Sequence, residues 1–213
     1  YGLSGSQTVI NRWGGSNYLW HQYMAKNGFI IFSIDNRQTG GRGKAFKNLG
    51  YGDYGKYLIR DHIEGINYLG KLSYADTSKV GIWGWSGGGY ATALALTKGA
   101  EYFDVGVAVA SVTDWRLYDT AYTERYMGLL SENEAGYDSA SVFSYIDRFK
   151  GNLLLIHGTG DDNVHYQHSI QLVNKFIKEG KQIDTMFYPS RNHGIYGGNA
   201  SFHLRKLMTN YFL

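Results

Sequence analysis

The chain has 213 residues, with 21 lysines and arginines against 18 aspartates and glutamates and no cysteine. The lack of cysteine excludes disulfides, cysteine-based zinc sites and thiol catalysis. The formal charge of +3 is dispersed along the chain, which argues against nucleic-acid binding, and no apolar run approaches the roughly 20 residues of a membrane-spanning helix.

The predicted elements alternate between strand and helix. Strands are predicted at 28–35, 80–84, 105–112, 153–157 and 183–188. Helices are predicted at 55–72, 90–97, 167–179 and 202–213. In the first helix Asp61 should face away from the core, whereas Ile170 and Ile177 should lie on the apolar face of the third. The alternation predicts an α/β domain over residues 1–213, with a mostly parallel sheet and helices on both faces. The tyrosine-rich interval 114–148 is longer than an ordinary connection and is interpreted as a functional insertion.

A serine follows the second predicted strand in the sequence Gly84-Trp85-Ser86-Gly87-Gly88. This fits the G-x-S-x-G pattern, in which a serine stands on a tight turn between a strand and a helix. The pattern predicts that Ser86 is a nucleophile and that the amide of Gly87 stabilises an oxyanion at the amino end of the helix. The alternative is a glycine-rich structural turn with an incidental serine.

A serine nucleophile requires a base and an acid that orients it, and on this architecture the chain order is serine, acid, histidine. His193 lies in the loop after the last predicted strand and is the favoured base, whereas His157 ends a buried strand and is interpreted as a core histidine. Asp161 and Asp162 follow one predicted strand and Asp114 follows another. Spacing alone does not decide which of these three acids orients the histidine.

A second interpretation of the same region is a metal site. Asp161, Asp162, His165 and His168 offer oxygen and nitrogen ligands. Because these residues straddle a loop, we favour the serine chemistry and expect neither a metal nor a cofactor. His168 and His203 fall in predicted helices, where packing or solvent accounts for them.

Three stretches of the chain resemble the catalytic domain of the prolyl oligopeptidase family, in its dipeptidyl peptidase branch: Gly84-Trp85-Ser86, residues 119–128 and residues 154–165. The resemblance runs from Tyr1 to Leu213. It implies an α/β-hydrolase fold and a serine peptidase that cleaves after proline or alanine and releases N-terminal dipeptides through an acyl-enzyme. By motif position it assigns Ser86 as the nucleophile, Asp161 as the acid and His193 as the base.

The resemblance also implies residues that contact the substrate. Tyr1 is similar to a tyrosine whose hydroxyl joins the oxyanion hole beside the Gly87 amide. Asn163 matches a residue that contacts the preceding peptide carbonyl. The pocket for proline is assigned to Val112, Trp115, Tyr118, Tyr122 and Val164. Where this chain has Gly87 the family usually has tyrosine, which predicts a wider pocket.

In the family a β-propeller domain precedes the catalytic domain and binds the ammonium group of the substrate. No propeller repeat is found in these 213 residues, so we expect a catalytic module without its propeller. The resemblance suggests a peptide substrate, a homodimer and a periplasmic or extracellular location. The alternatives are a carboxylesterase of the same fold and an inactive module.

Overall fold

The computed structural model describes Gly14 and residues 17–213, and a parallel β-sheet forms its centre. The strands within these residues are β1 (Gly81–Trp85), β2 (Val105–Val109), β3 (Asn152–Gly158) and β4 (Asp184–Tyr188). They lie in chain order and every neighbouring pair is parallel. Four of the predicted strands are therefore confirmed, and β2 ends three residues earlier than expected.

Helices connect and flank these strands. They are α1 (Tyr18–Lys26), α2 (Gly43–Lys47), α3 (Gly55–Leu69), α4 (Gly87–Ala95), α5 (Thr120–Met127), α6 (Glu134–Ala140), α7 (Gln167–Lys178) and α8 (Ala200–Phe212). Among the helices of the described residues, none has the length and apolar character needed to cross a membrane. The short helix α1 has no counterpart among the sequence predictions, and α5 and α6 lie inside the predicted insertion.

The central strands β2 and β3 are buried on both faces because their side chains alternate between two cores. On β3, Leu153 and Leu155 pack into the core that contains α3, α4 and α7. The intervening Leu154 and Ile156 pack into the second core, which contains α8 and the partly buried Trp20 of α1. This alternation explains why the strands are continuously apolar in sequence. The predicted fold class, a parallel sheet with helices on both faces, is confirmed.

The prediction of a buried strand at 28–35 is wrong. The segment is extended, but among the described residues the backbone of 30–34 makes no hydrogen bond. Ile30, Ile31 and Phe32 are exposed by 46%, 39% and 45%. An apolar, β-branched run satisfies strand propensity, whereas a strand is defined by the neighbour with which it pairs.

The helix predicted at 55–72 is confirmed as α3, but the prediction that Asp61 faces away from the core is wrong. Its carboxylate is almost fully buried and accepts hydrogen bonds from the Arg37 amide at 2.7 Å and from Arg37 Nε at 3.0 Å. A charged residue on a helix is usually solvated. Asp61 is instead paired with the guanidinium of Arg37, which lies 24 positions earlier in the sequence.

The buried face of α7 also differs from the prediction. Ile170 and Ile177 are exposed by 44% and 69%, while Leu172 and Phe176 are buried. The small polar side chain of Ser169 is buried as well. Helical spacing identifies the apolar residues, but the elements against which the helix packs decide which of them are covered.

Candidate active site

Ser86 lies on a strained turn between β1 and α4. Its φ and ψ are 60° and −117°, a combination that residues other than glycine seldom adopt. The Ser86 amide donates to the carbonyl of Val109 on β2 at 2.8 Å, and the Ser86 carbonyl accepts from the Tyr90 amide at 3.0 Å. These two bonds hold the turn, and the half-buried Ser86 side chain stands at the amino end of α4.

Two glycines beside the turn are required by the close approach of the backbone. A Cβ at Gly84 would lie 2.1 Å from the carbonyl oxygen of Gly88, and a Cβ at Gly89 would lie 2.8 Å from that of Val109. Both distances are shorter than any van der Waals contact. Gly84, which opens the G-x-S-x-G pattern, and Gly89, which follows it, therefore allow the backbone to double back beneath Ser86.

The amide of Gly87 is the first of α4, and within the described residues it donates to no acceptor. Unpaired amides at the start of a helix favour negative charge. Tyr1, the other oxyanion donor suggested by the sequence, lies outside the described residues.

Asp161 lies in the loop that follows β3, and its side chain is buried. Its Oδ1 accepts hydrogen bonds from the amides of Asn163 at 3.0 Å and Val164 at 2.9 Å. Burial raises the pKa of Asp161, but hydrogen bonds from His157 and His193 outweigh it, so that the pKa lies below its ordinary value. Asp161 is therefore ionised at neutral pH.

His193 lies in the loop after β4, with Nδ1 2.8 Å from Oδ2 of Asp161. The indole Nε1 of Trp85 donates to the carbonyl oxygen of His193 at 2.8 Å. This bond ties the His193 loop to the residue directly before Ser86. The ring retains 25% of its side-chain exposure. Within the described residues Ser86 and His193 share no hydrogen bond. Asp161 contacts Nδ1 of His193, so that Nε2 is the ring nitrogen that does not bond to Asp161.

The other two candidate acids lie elsewhere. Asp114 accepts hydrogen bonds from the amide of Arg116 at 2.8 Å and from the hydroxyl of Ser141 at 2.6 Å. Asp162 is exposed. Of the acids that sequence spacing left open, only Asp161 contacts His193 in the described part of the chain.

His168 and His203 have partners other than Asp161, and among the described residues the metal interpretation finds no support. Nδ1 of His168 accepts from the Thr113 amide at 3.1 Å, and Nδ1 of His203 lies 2.8 Å from the Tyr188 hydroxyl. Burial lowers the pKa of His168 to about 4. In the described ranges no three histidine, aspartate or glutamate side chains are grouped so that they could hold a metal ion.

The predicted pocket residues converge beside the Asp161 loop. Val112 and Val164 are buried in the same core as Trp115. The ring centroid of Tyr122 lies 6.1 Å from that of Trp115, and the ring of Tyr118 lies 5.6 Å from that of Tyr122. The insertion 114–148 thus supplies an aromatic wall, as an apolar ring ligand would require.

Asn163 connects this wall to the acid. Its amide donates to Asp161 Oδ1, and its side-chain Oδ1 accepts from the Tyr118 hydroxyl at 2.8 Å. The exposed side-chain amide of Asn163 therefore retains Nδ2 as a donor for a ligand carbonyl. Burial raises the pKa of Tyr118, which keeps its phenol neutral.

Sequence reasoning missed several members of the site. Tyr54, at the start of α3, lies with its ring centroid 4.7 Å from that of Trp115, and the ring of Tyr90 is 5.1 Å from it. Tyr126 packs 5.1 Å from Tyr122. The only available signal was the excess of tyrosine, which does not reveal which rings meet.

Comparison with known proteins gives a consistent result. The family described as "Prolyl oligopeptidase family" matches residues 16–213. The chain is 38% identical, over 97% of its length, to "Probable dipeptidyl peptidase 4" of Aspergillus flavus. It is 39% identical, over 100% of its length, to "Probable dipeptidyl-aminopeptidase B" of Trichophyton verrucosum. It spans only 28% and 24% of the length of these two relatives.

A solved structure shows the same fold. The crystal structure of Porphyromonas gingivalis dipeptidyl peptidase 4 superposes with a TM-score of 0.94 and 37% sequence identity. The likeness covers 99% of this chain and 29% of that one. The parallel sheet and its flanking helices therefore form an α/β-hydrolase fold.

Proposed function

This chain belongs to the prolyl oligopeptidase family, and on that premise we propose that it is the catalytic module of a serine-type dipeptidyl peptidase. The relatives named after such peptidases are 38% and 39% identical to it. Because the chain spans about a quarter of their length, its substrate and its partner domains are part of the proposal. We include among these partners a β-propeller and a second copy of the protein.

The proposed chemistry begins at Ser86. Its Oγ attacks the carbonyl carbon of the scissile peptide while Nε2 of His193 accepts the hydroxyl proton. Asp161 holds the Nδ1–H tautomer of His193 and stabilises the imidazolium that forms. The amine then leaves with the proton from His193, and water hydrolyses the resulting acyl-enzyme by the same route.

Negative charge develops on the carbonyl oxygen during the attack. We assign its stabilisation to the Gly87 amide at the start of α4 and to the hydroxyl of Tyr1. The Gly87 amide, which donates to no acceptor in the described part of the chain, supports the first part of this assignment. The second part depends on the family resemblance alone.

The aromatic wall supports specificity for proline or alanine at the position before the cleaved bond. The partly buried Tyr118 and Tyr122 offer flat surfaces that match a pyrrolidine ring. The buried Trp115, Val112 and Val164 lie in the apolar core behind them. The free side-chain donor of Asn163 is suited to the preceding peptide carbonyl. Gly87 adds no side chain to this wall, so we expect alanine to be accepted relatively well.

The observation that carries the proposal is the 2.8 Å hydrogen bond between Asp161 Oδ2 and His193 Nδ1. The loop that holds His193 is also bonded to Trp85, the residue directly before the strained Ser86 turn. A fluorophosphonate probe followed by peptide mapping tests it. We expect covalent labelling at Ser86, loss of labelling in Ser86→Ala, and full labelling in Ser131→Ala, which removes an exposed serine.

The substrate preference of the unlabelled wild-type protein separates the competing functions. A peptidase module should prefer acyl groups that end in proline, whether their N-terminus is free or blocked, over simple acyl esters. A carboxylesterase would show the reverse preference with equal labelling. Correctly folded protein without labelling at Ser86 would show that the serine is not a nucleophile and would overturn the proposal.

A further inference from the structure

The Asp161 carboxylate has a second histidine partner besides His193. Its Oδ2 lies 2.8 Å from Nδ1 of His193 and 3.1 Å from Nε2 of His157. His157, near the end of β3, has no exposed side-chain surface. One carboxylate oxygen is thus placed between two imidazole rings, one half-buried and facing the site, the other enclosed by the fold.

The contacts of His157 define its protonation. Nε2 faces two acceptors, the carboxylate of Asp161 and the carbonyl oxygen of Val164 at 2.8 Å, so this nitrogen must carry a proton. Nδ1 lies 2.6 Å from the hydroxyl of Ser169. In the neutral ring Nδ1 is an acceptor, and Ser169 donates to it. The buried hydroxyl on the first turn of α7 therefore selects the tautomer that donates to Asp161.

We propose that His157, oriented by Ser169, is a positioning residue for Asp161, fixing the oxygen that accepts the hydrogen bond of His193. This inference rests on the proposed role of Asp161 and His193. Two amides already fix Oδ1 of Asp161. The His157 donor fixes Oδ2, so the carboxylate cannot rotate away when His193 moves toward the substrate.

A second effect of the same bond is electrostatic. A donor on Oδ2 disperses its negative charge, so that less of it stabilises the imidazolium of His193. The other titratable groups around His157 are Tyr166, whose ring lies 5.9 Å away, and His168, which is neutral at pH 7 because its pKa is lowered to about 4, chiefly by burial. Neither donates to Asp161, so His157 is the group whose removal should change His193.

The test compares substitutions at His157 by the rate of fluorophosphonate labelling of Ser86 against pH. His157→Leu removes the donor, and His157→Gln returns an N–H donor to a similar position. We expect His157→Leu to lower the limiting inactivation rate by about 10- to 100-fold with little change in probe affinity. The acidic limb of its pH profile should move to higher pH, and His157→Gln should recover most of both effects.

Ser169→Ala, which leaves the ring in place, should lower the rate less but shift the pH profile in the same direction. Thr97→Val is its matched control, since Thr97, two residues beyond the end of α4, has a buried hydroxyl that donates to the Ala93 carbonyl at 2.9 Å. We expect this control to retain the wild-type rate and profile. Ser169→Ala and His157→Gln carry the test if circular dichroism shows that His157→Leu does not fold.

Two results would overturn the inference. The first is that His157→Leu keeps the wild-type labelling rate and pH profile. The second is that His157→Leu and His157→Gln lose the labelling rate equally while the pH profile stays unchanged, which would show that His157 contributes packing alone. If wild-type Ser86 is not labelled, the proposed function fails separately. In that case the positioning role is tested by NMR, through the downfield resonance of the proton shared by His193 and Asp161. Its chemical shift should change in His157→Leu and Ser169→Ala but not in Thr97→Val. An unchanged shift in the first two variants would refute the positioning role.

Discussion

At the scale of single residues, Asp161 is the group on which the most contacts converge. Two amides bind Oδ1 and two histidines approach Oδ2. Replacing the carboxylate by an amide keeps the shape but offers an N–H where His193 needs an acceptor. We therefore predict that Asp161→Asn lowers the labelling rate of Ser86 by about 10³- to 10⁴-fold.

Asp162→Asn is the matched control for this substitution. The neighbouring carboxylate is exposed, and we expect its amide variant to react within about twofold of the wild type. An equal loss in the two variants would mean that Asp161 acts only through the charge or stability of the loop.

The buried imidazole of His168 predicts a pH dependence of stability. Its pKa is lowered from 6.5 to about 4, chiefly by burial. Between these values the unfolded chain binds a proton that the folded chain does not, so the free energy of unfolding should fall as the pH drops from 6.5 to about 4. Urea titrations across this range measure the effect.

His168→Asn retains an acceptor for the Thr113 amide but does not titrate. Its unfolding free energy should vary less with pH than that of the wild type over the same interval. A slope equal to that of the wild type would show that His168 is protonated in the folded protein.

At the scale of elements, the turn between β1 and α4 depends on close backbone contacts at its glycines, of which the contact at Gly84 is the shorter. A Cβ at Gly84 would lie 2.1 Å from the Gly88 carbonyl oxygen, so Gly84→Ala must displace the turn. We predict a loss of about 3 kcal/mol or more, seen as a fall in Tm of about 6 °C or more, together with loss of Ser86 labelling.

Gly70→Ala provides the comparison. Gly70 ends α3 with an ordinary φ of −62°, and its added Cβ would lie 3.3 Å from the side-chain oxygen of Thr77, which can move. We expect a change of less than about 1 kcal/mol. Equal tolerance at both glycines would contradict the account of the turn.

The elements that sequence predicted well are those whose own residues define them. The helix α3 and strands β1 to β4 follow from apolar spacing, and the Ser86 turn follows from its glycines. The failures depend on partners: the run 28–35 lacks a neighbouring strand among the described residues, and Asp61 is buried because a distant arginine pairs with it. The interpretation of His157 as a core histidine is confirmed by its full burial, but no sequence pattern showed its contact with Asp161.

At the scale of the whole molecule, the chain covers 28% and 24% of the length of its fungal relatives. Its described residues place an acid, a base and an aromatic wall at one edge of the sheet, but no described group there is assigned to the substrate's ammonium. We therefore predict slow hydrolysis of an activated ester and little selectivity for free N-termini. Efficient cleavage of Gly-Pro anilides, with N-blocked analogues rejected, would contradict this prediction.

The central claim is that Ser86, His193 and Asp161 act as one unit. The most direct measurement is a crystal structure of the chain after reaction with a phosphonate probe. The account predicts phosphorus bonded to Ser86 Oγ, with Nε2 of His193 within about 3.2 Å of that oxygen and Nδ1 still bonded to Asp161. A probe attached elsewhere, or a His193 ring turned away from Ser86, would contradict it.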